Sequence, residues 1–356
     1  MIGATDQRLN GAPSAFEAPR LAVTRLILTN FRSYVSGALA VSGRPVVLAG
    51  PNGAGKTNIL DALSLLSPGR GLRGATLGEH ARKGPSVPSD ALWAVAATVS
   101  RSGEPYEIGT GLMLGPNGGE RRKVHLNGAP SNNAADLAEV VQMAWLTPAM
   151  DRLFIEGASG RRKFLDRLVF GFMPEHARNA ARYETAMRER TRLLKYGPRD
   201  PAWLDGLEAE MTDTGIALAT ARAEGIARLN KALDARGVAG AFPSAHLTLA
   251  GDADAILAES AAAATEFRDR FAHARIRDAE AGRTTFGPHR SDLAVRHVQK
   301  RTDAADCSTG EQKALLIAIV LAHAWESSHM REGRAPILLL DEIAAHLDSK
   351  RRAALF

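Results

Sequence analysis

Three short stretches of this chain carry residue types at spacings suited to phosphate chemistry. Gly50-Pro-Asn-Gly-Ala-Gly-Lys-Thr57 fits G-x-x-x-x-G-K-[ST] without a mismatch. Gly50, Gly53 and Gly55 let the backbone curl so that its amide hydrogens converge on phosphate oxygens. Lys56 adds a full positive charge near the β and γ phosphates, and Thr57 offers a hydroxyl to Mg2+. Asn52, within the loop, and Asn58, after it, are counted with the loop as nucleotide-binding. The second stretch, Ile337-Leu-Leu-Leu340, is an apolar run ending in Asp341 and Glu342. A strand that delivers a carboxylate at its C-terminal end holds Mg2+ in phosphate-loop proteins, so Asp341 is expected at the metal, directly or through water. Glu342 is the expected general base for an attacking water. The third, Ser308-Thr-Gly-Glu-Gln-Lys313, sets a Ser, a Gly and a polar pair at a helix N-terminus, a second anion site. Taken singly, the three also fit a turn, a solvated strand edge and an ordinary Ser-capped helix.

These residues need elements to position them. Val46-Val47-Leu48-Ala49 reads as a buried parallel strand before the loop. Asn58 to Leu66 reads as a helix with Ile59, Leu63 and Leu66 on one face. Leu21–Leu28, Leu92–Ser100, Tyr106–Leu114 and Arg121–Leu126 read as strands, the last three joined by glycine turns into a small antiparallel lobe. Residues 136–142 form a short helix. From Gly157 to Glu280 the pattern is mostly helical, with a strand at Ala245–Ala250. Strand pattern returns near Thr284, with clear alternation at Asp292–Val298, and a helix runs from Ala314 to Trp325. The expected organisation is an N-terminal extension without order at 1–20, a discontinuous nucleotide-binding head at 21–156 and 281–356, and a helical arm at 157–280.

Bulk properties narrow the class. At 356 residues the chain is long enough for two domains, and 45% hydrophobic with 24% charged residues is ordinary for a globular protein. A formal charge of +6 and a pI of about 9.7 suit a nucleic-acid partner. The single cysteine, Cys307, excludes an internal disulfide and fits a reducing, cytoplasmic setting. No apolar run is long enough to cross a membrane. No Asn-Lys-x-Asp guanine-reading segment is present, since Asn230-Lys231 is followed by Ala232-Leu233, which favours ATP over GTP.

Ser308-Thr-Gly-Glu-Gln312, standing upstream of the acidic strand end, resembles the signature motif of ABC-type ATPases, and His346-Leu-Asp348 stands where that class has its D-loop. The resemblance implies that Ser308, Gly310 and Gln312 of one copy cap the γ-phosphate held by another, in an ATP-sandwiched homodimer. Asn30-Phe-Arg-Ser-Tyr34, Gly69-Arg-Gly-Leu-Arg73, Leu146-Thr-Pro148, Arg161-Arg-Lys-Phe-Leu-Asp166, Arg192-Leu-Leu-Lys195, Phe286-Gly-Pro-His-Arg-Ser-Asp-Leu293 and Leu347-Asp-Ser-Lys-Arg-Arg352 follow in order and resemble the RecF family of bacterial DNA replication and repair proteins, within the SMC-like ATPases. That implies an α/β fold: a phosphate-loop ABC-type ATPase head with an antiparallel β lobe and an inserted α-helical domain. It implies weak ATP hydrolysis with Mg2+, used as a switch. It also implies a dimer that clamps DNA at single-strand gaps, junctions or stalled forks, RecR and RecO as partners in loading recombinase, and support of the SOS response. Asn30 and Arg32 lie where such heads approach the nucleotide, and Arg73 where they carry an arginine loop. His289-Arg290 with Asp292 matches a family motif to which the residues alone assign no chemistry.

Two departures stand out. No Gln of a Q-loop is evident: Gln142 lies upstream of Thr147-Pro148, and Ala149 takes the place where an acid often follows. The sequence reaches Phe356 soon after Leu347-Asp348, where the family usually continues through another strand and a switch segment; lack of a core strand would weaken the sheet and impair hydrolysis. Arg161-Arg162-Lys163, Arg188, Arg190 and Arg192, and Lys350-Arg351-Arg352 are the clusters suited to DNA phosphates, each with a competing reading as a solvated helix face. The other readings are an ABC-type ATPase subunit acting outside DNA repair, such as a transporter's, and a clamp whose slow hydrolysis only resets it.

Overall fold

The computed structural model describes residues 21–84, 91–131, 133–197, 200–237, 240–343 and 347–355. The expected extension at 1–20, His346 and Phe356 lie outside them. The chain divides into two compact units, one running through Thr147 and including Ser327–Ile343, the other holding Pro148–Glu326 and the described residues after 346.

The first unit opens on a hairpin of β1 (Leu21–Phe31) and β2 (Tyr34–Ala40), followed by α1 (Lys56–Ser64). β3 (Ala94–Arg101), β4 (Glu104–Leu114), β5 (Glu120–Leu126) and β6 (Ala129–Ser131) extend it to a six-stranded antiparallel sheet of order β2-β1-β3-β4-β5-β6. Ser102-Gly103 and Asn127-Gly128 close two of its hairpins with both residues at positive φ, the conformation whose twist matches the flanking strands. Leu26, Leu28, Val95, Val99, Ile108 and Val124 fill the buried face. Arg25, Thr29, Arg121 and Lys123 stand on the open one. The short helix α2 (Leu137–Val140) and strand β7 (Met143–Leu146) follow.

The second unit is mainly helical. α3 (Ala158–Phe172), α4 (Glu175–Tyr196) and the 37-residue α5 (Pro201–Gly237) lead to β8 (Ala245–Ala250). After α6 (Asp252–Glu259), α7 (Ala263–His273) and α8 (Arg275–Ala281), β9 (Asp292–His297) and β10 (Thr302–Asp303) pair with β8 in a three-stranded antiparallel sheet of order β10-β9-β8. α9 (Thr309–Met330) and α10 (Ser349–Leu355) complete the helices. Tyr183, Met211, Leu218, Phe267, Phe271 and Phe286 form a core, with Phe286 edge-on to both other phenylalanines at 5.2 Å.

The chain returns to the first unit as β11 (Ile337–Leu340), which pairs parallel with β7 in the register Ile337↔Met143 to Leu340↔Leu146. β7 is as short as β11 but, unlike it, ends in no acid pair that would mark it in the sequence. The lobe strands, the short helix at 137–140, β8, β9 and α9 stand where the residues placed them.

Two local expectations fail. Val46–Ala49 is not a strand: it pairs with none among the described residues, and Val46 and Val47 are 45% and 74% exposed. An apolar run becomes a strand only where its backbone meets a neighbour's ladder, and among the described residues 46–49 meets none. α1 stops at Ser64 and buries Ile59 and Ala62 together with Asp61, rather than Ile59 with Leu63.

Candidate nucleotide site

The phosphate loop is shaped by its glycines. Gly53 and Gly55 have φ of 81° and 96°. A Cβ on Gly55 would lie 2.6 Å from the Tyr34 hydroxyl. That hydroxyl, its pKa raised by burial, donates to the Gly55 carbonyl at 3.3 Å and holds the loop from the β2 side. Lys56 opens α1 and donates to the Gly50 and Pro51 carbonyls at 2.8 and 2.9 Å, so its ammonium lies along the loop. Gly50 and Asn52 are exposed on the loop. The nine-residue helix points its free amides and positive dipole end at the same place.

Thr57 donates its hydroxyl to Asp341 Oδ1 at 3.4 Å, across 284 residues of chain. The contact follows from the parallel pair: the Asp341 amide continues the ladder to the Leu146 carbonyl at 2.9 Å, so the carboxylate leaves the C-terminal end of β11 beside the start of α1. One hydroxyl and one carboxylate side by side fit Mg2+, which takes few protein oxygens and fills its shell with phosphate and water. Among the described residues, no three His, Cys, Asp or Glu gather as a protein-only metal site would require. Glu342 follows, exposed, at φ 49°. Gln142 sits at the opposite, N-terminal end of β7, where its carbonyl accepts from the Ile337 amide and its side-chain amide lies against the Arg331 guanidinium. It does not reach the Thr57–Asp341 end of the ladder.

Around the loop, Asn58 donates to Ser33 Oγ at 2.9 Å and accepts from Arg73 Nη2 at 3.0 Å. Arg32 turns away from the loop, donating to Asp61 Oδ2 at 3.0 Å and to the Glu79 carbonyl at 2.8 Å, with His80 Nδ1 at 3.2 Å. Asn30, at φ 48°, accepts the Arg82 amide at 2.7 Å through its carbonyl. Arg122 of β5 was not foreseen. It donates to Thr110 Oγ1 at 2.9 Å, to the Gly69 carbonyl at 2.7 Å and to the carbonyls of Leu65 and Ser67, and burial lowers its pKa to about 10. It thereby ties the C-terminal end of α1 to the loop that carries Arg73.

In the second unit, Ser308 precedes the first turn of α9. Its hydroxyl and amide donate to Glu311 Oε2 at 2.9 and 3.1 Å, so the Glu311 carboxylate satisfies the Ser308 amide as in the Glu half of a capping box. Lys300 pairs with the other oxygen of Glu311, and that hydrogen bond leads those from Ser308 in holding the carboxyl down to about 2. Gly310 lies in this turn. Gln312 is buried and donates to the carbonyls of Cys307 at 2.8 Å and Ala305 at 3.3 Å, so its amide braces the turn before α9. Lys313, also buried, lies 3.4 Å from Asp151.

Comparison with known proteins identifies the family. The family model of the RecF/RecN/SMC N terminal domain matches residues 22–356. A Mesorhizobium japonicum protein named DNA replication and repair protein RecF is 49% identical over 336 residues, covering 94% of this chain and 87% of the relative. The chain belongs to the RecF family. A second member, from Rhizobium etli, is 48% identical over 95% of this chain and 89% of its own length. Two solved structures of the recombination mediator protein RecF in the RecFOR pathway, one with ATP and one with ATPrS, share the fold at 20% identity. Their TM-scores are 0.79 and 0.76, and they cover 96% and 94% of this chain. The RecF-family chain is thus an ABC-like ATPase fold in a family of DNA replication and repair proteins, and no helix among its described residues is long and apolar enough to cross a membrane.

The RecF-family motif Phe286–Leu293 now has a physical role. His289 accepts from the Tyr183 hydroxyl at Nδ1, 2.8 Å, and donates from Nε2 to the Thr284 carbonyl, 3.0 Å. Desolvation lowers its pKa, and these partners suit the neutral ring. Asp292 receives both forks of Arg161 at 2.7 and 2.8 Å, and Arg162 donates to the Ser291 carbonyl at 2.7 Å. Arg222 grips Asp166 at 2.7 and 2.9 Å and the Pro288 carbonyl at 2.6 Å. Arg190, expected among the phosphate-facing arginines, is fully buried between Glu208 at 2.8 Å and Asp278 at 2.7 Å, so it is a core cation. Arg188, Arg192, Lys163 and Lys350 remain exposed.

Proposed function

We propose that this RecF-family chain is an ATP-driven DNA clamp of recombinational repair and replication restart. In this reading, Gly53 and Gly55 amides with Lys56 hold the β and γ phosphates, and Asn58 and Arg73 line the side of the loop. Thr57 and Asp341 hold Mg2+, which supplies charge neutralisation on the phosphate oxygens. Glu342 accepts a proton from the attacking water as its oxygen bonds to the γ-phosphorus and ADP departs with the bridging oxygen. Ser308 and Gly310 of a second copy cap the γ-phosphate, for which the Ser308 hydroxyl must leave Glu311; Gln312 supports that turn from behind. Hydrolysis is slow and opens the dimer. The head at 21–156 and 281–356 performs this cycle, and the helical arm at 157–280 contributes exposed cations for DNA phosphates at gaps or junctions. RecR and RecO are the partners to be expected of a RecFOR-type mediator, with recombinase loading and SOS support downstream, in the cytoplasm.

The observation that carries this reading is the Thr57–Asp341 contact beside Glu342. It is tested by the solution mass of the protein with ATP, with ADP, and with ATP in a Lys56→Ala variant, each with gapped DNA added. A dimer formed with ATP alone, absent in the variant and retained on DNA, supports the clamp. A monomer under every condition removes it.

A further inference from the structure

Asp61 has no role in the mechanism above, yet it collects charge from three separate segments. It is fully buried on the helix that Lys56 begins. Its Oδ2 lies 2.9 Å from Arg32 Nη2, 3.8 Å from Arg73 Nε and 3.6 Å from His80 Nδ1. Burial alone would raise its pKa, but hydrogen bonds and charge from His80 and Arg32 outweigh that and lower it. Arg32 comes from the β1–β2 turn, Arg73 from the loop after α1, and His80 is packed edge-on against Trp93 at 5.4 Å and stacked on Phe31 at 5.8 Å.

The two arginines spend their donors differently. Arg32 uses Nε and Nη2 on Asp61 and Nη1 on the Glu79 carbonyl, and its side chain is 16% exposed. Arg73 donates from Nη2 to Asn58 at 3.0 Å while its Nε stands at ion-pair distance, 3.8 Å, from Asp61; neither contact uses Nη1, and the side chain is 42% exposed. Asn58 adjoins Thr57, so this guanidinium is fixed at the flank of the phosphate loop.

We propose that Asp61 is a positioning residue of the nucleotide site: it holds the Arg73 guanidinium beside Asn58 to meet a nucleotide phosphate, with Arg32 and His80 bracing the carboxylate from behind. Arg32 then acts through Asp61 and does not touch the nucleotide. The assignment rests on the nucleotide-site reading above. A planar cation that donates to Asn58 while its charge faces Asp61 is a geometry that lysine's point charge does not reproduce.

The test measures binding of a fluorescent ATP analogue, KM and kcat for ATP, and thermal unfolding for Asp61→Asn, Arg73→Ala, Arg73→Lys and the double variant Asp61→Asn/Arg73→Ala, with Lys56→Ala as reference. Asp61→Asn and Arg73→Ala should each weaken ATP binding about tenfold, the size of one charge-assisted contact, and the double variant should be no weaker than Arg73→Ala alone. Losses that multiply in the double variant, or native ATP affinity in a folded Asp61→Asn protein, overturn the proposal. If Asp61→Asn does not fold, Arg73→Lys decides: a loss equal to that of Arg73→Ala supports positioning, and full rescue by the lysine charge overturns it. ATP binding that survives Lys56→Ala sinks the nucleotide site itself, and binding lost there but unmoved in the Asp61 and Arg73 variants sinks this proposal alone.

Discussion

Glu342 stands in a left-handed backbone conformation that costs a residue with a side chain about 1–2 kcal/mol. Such strain gathers where a side chain must be aimed rather than packed, and here it falls on the residue next to the carboxylate facing Thr57. As the proposed base for the attacking water, Glu342 should be dispensable for binding and needed for turnover. Glu342→Gln is expected to lower kcat by roughly 10²–10⁴ while leaving ATP affinity near native, and the ATP-bound dimer should persist. Single-turnover hydrolysis alongside nucleotide binding checks this; an unchanged rate would hand the role of base to another group. At this scale much of the site was legible. Lys56, Thr57, Asp341 and Glu342 could be named because phosphate and metal chemistry restricts residue type at fixed spacing. Asp61 could not, since a carboxylate on a helix face looks solvated until Arg32, Arg73 and His80 arrive from elsewhere in the chain.

Among the elements, the antiparallel lobe was readable from alternation and glycine turns, and β8 from its composition. The stretch at 46–49 was misread because hydrophobicity signals burial without naming a ladder partner. Arg190 shows the converse: in a helix rich in Arg and Glu, its neighbours look like a solvated face, and only packing against Glu208 and Asp278 reveals the buried cation. The joint among α3, α4 and α5 turns on Asp166. Burial would raise its pKa, but the Arg222 guanidinium and the His176 ring, 2.8 Å away, hold it well below the ordinary carboxylate range. A depressed folded pKa means stability that is fully present above the unfolded value, about pH 4, and lost as pH falls through the folded one. Asp166→Asn should therefore be much less stable than the native chain at pH 7, with the gap narrowing steadily below about pH 4. Denaturant melts at pH 7, 5 and 3 would show it; a gap independent of pH would mean that the side chain matters for shape and not for charge.

For the molecule as a whole, the proposed clamp needs the phosphate loop of one copy and Ser308 of another. Ser308→Arg places a bulky cation at the N-terminal end of α9 without touching the loop. ATP should still bind a Ser308→Arg monomer with near-native affinity, while the ATP-dependent dimer is lost. Sedimentation with and without ATP reads both outcomes, and a normal dimer would show that the α9 end is not at the interface. The overall class was legible because three motifs and a helical insertion appear in order. β11, far along the sequence from β7, could be joined to the loop-bearing region from sequence alone because its acid pair needs a phosphate loop to serve.

That distance has a consequence during synthesis. Thr57 and Asp341 are 284 residues apart, so at ordinary elongation speeds of roughly 5–20 residues per second, about 15–60 s pass between their appearances on the ribosome. From the moment β7 is made until β11 follows it, β7 has no parallel neighbour, and its open edge is one that a chaperone would need to shield. Nascent chains carry the phosphate loop long before they carry its acid pair, so a stalled ribosome displays a head that has the loop and lacks its carboxylates.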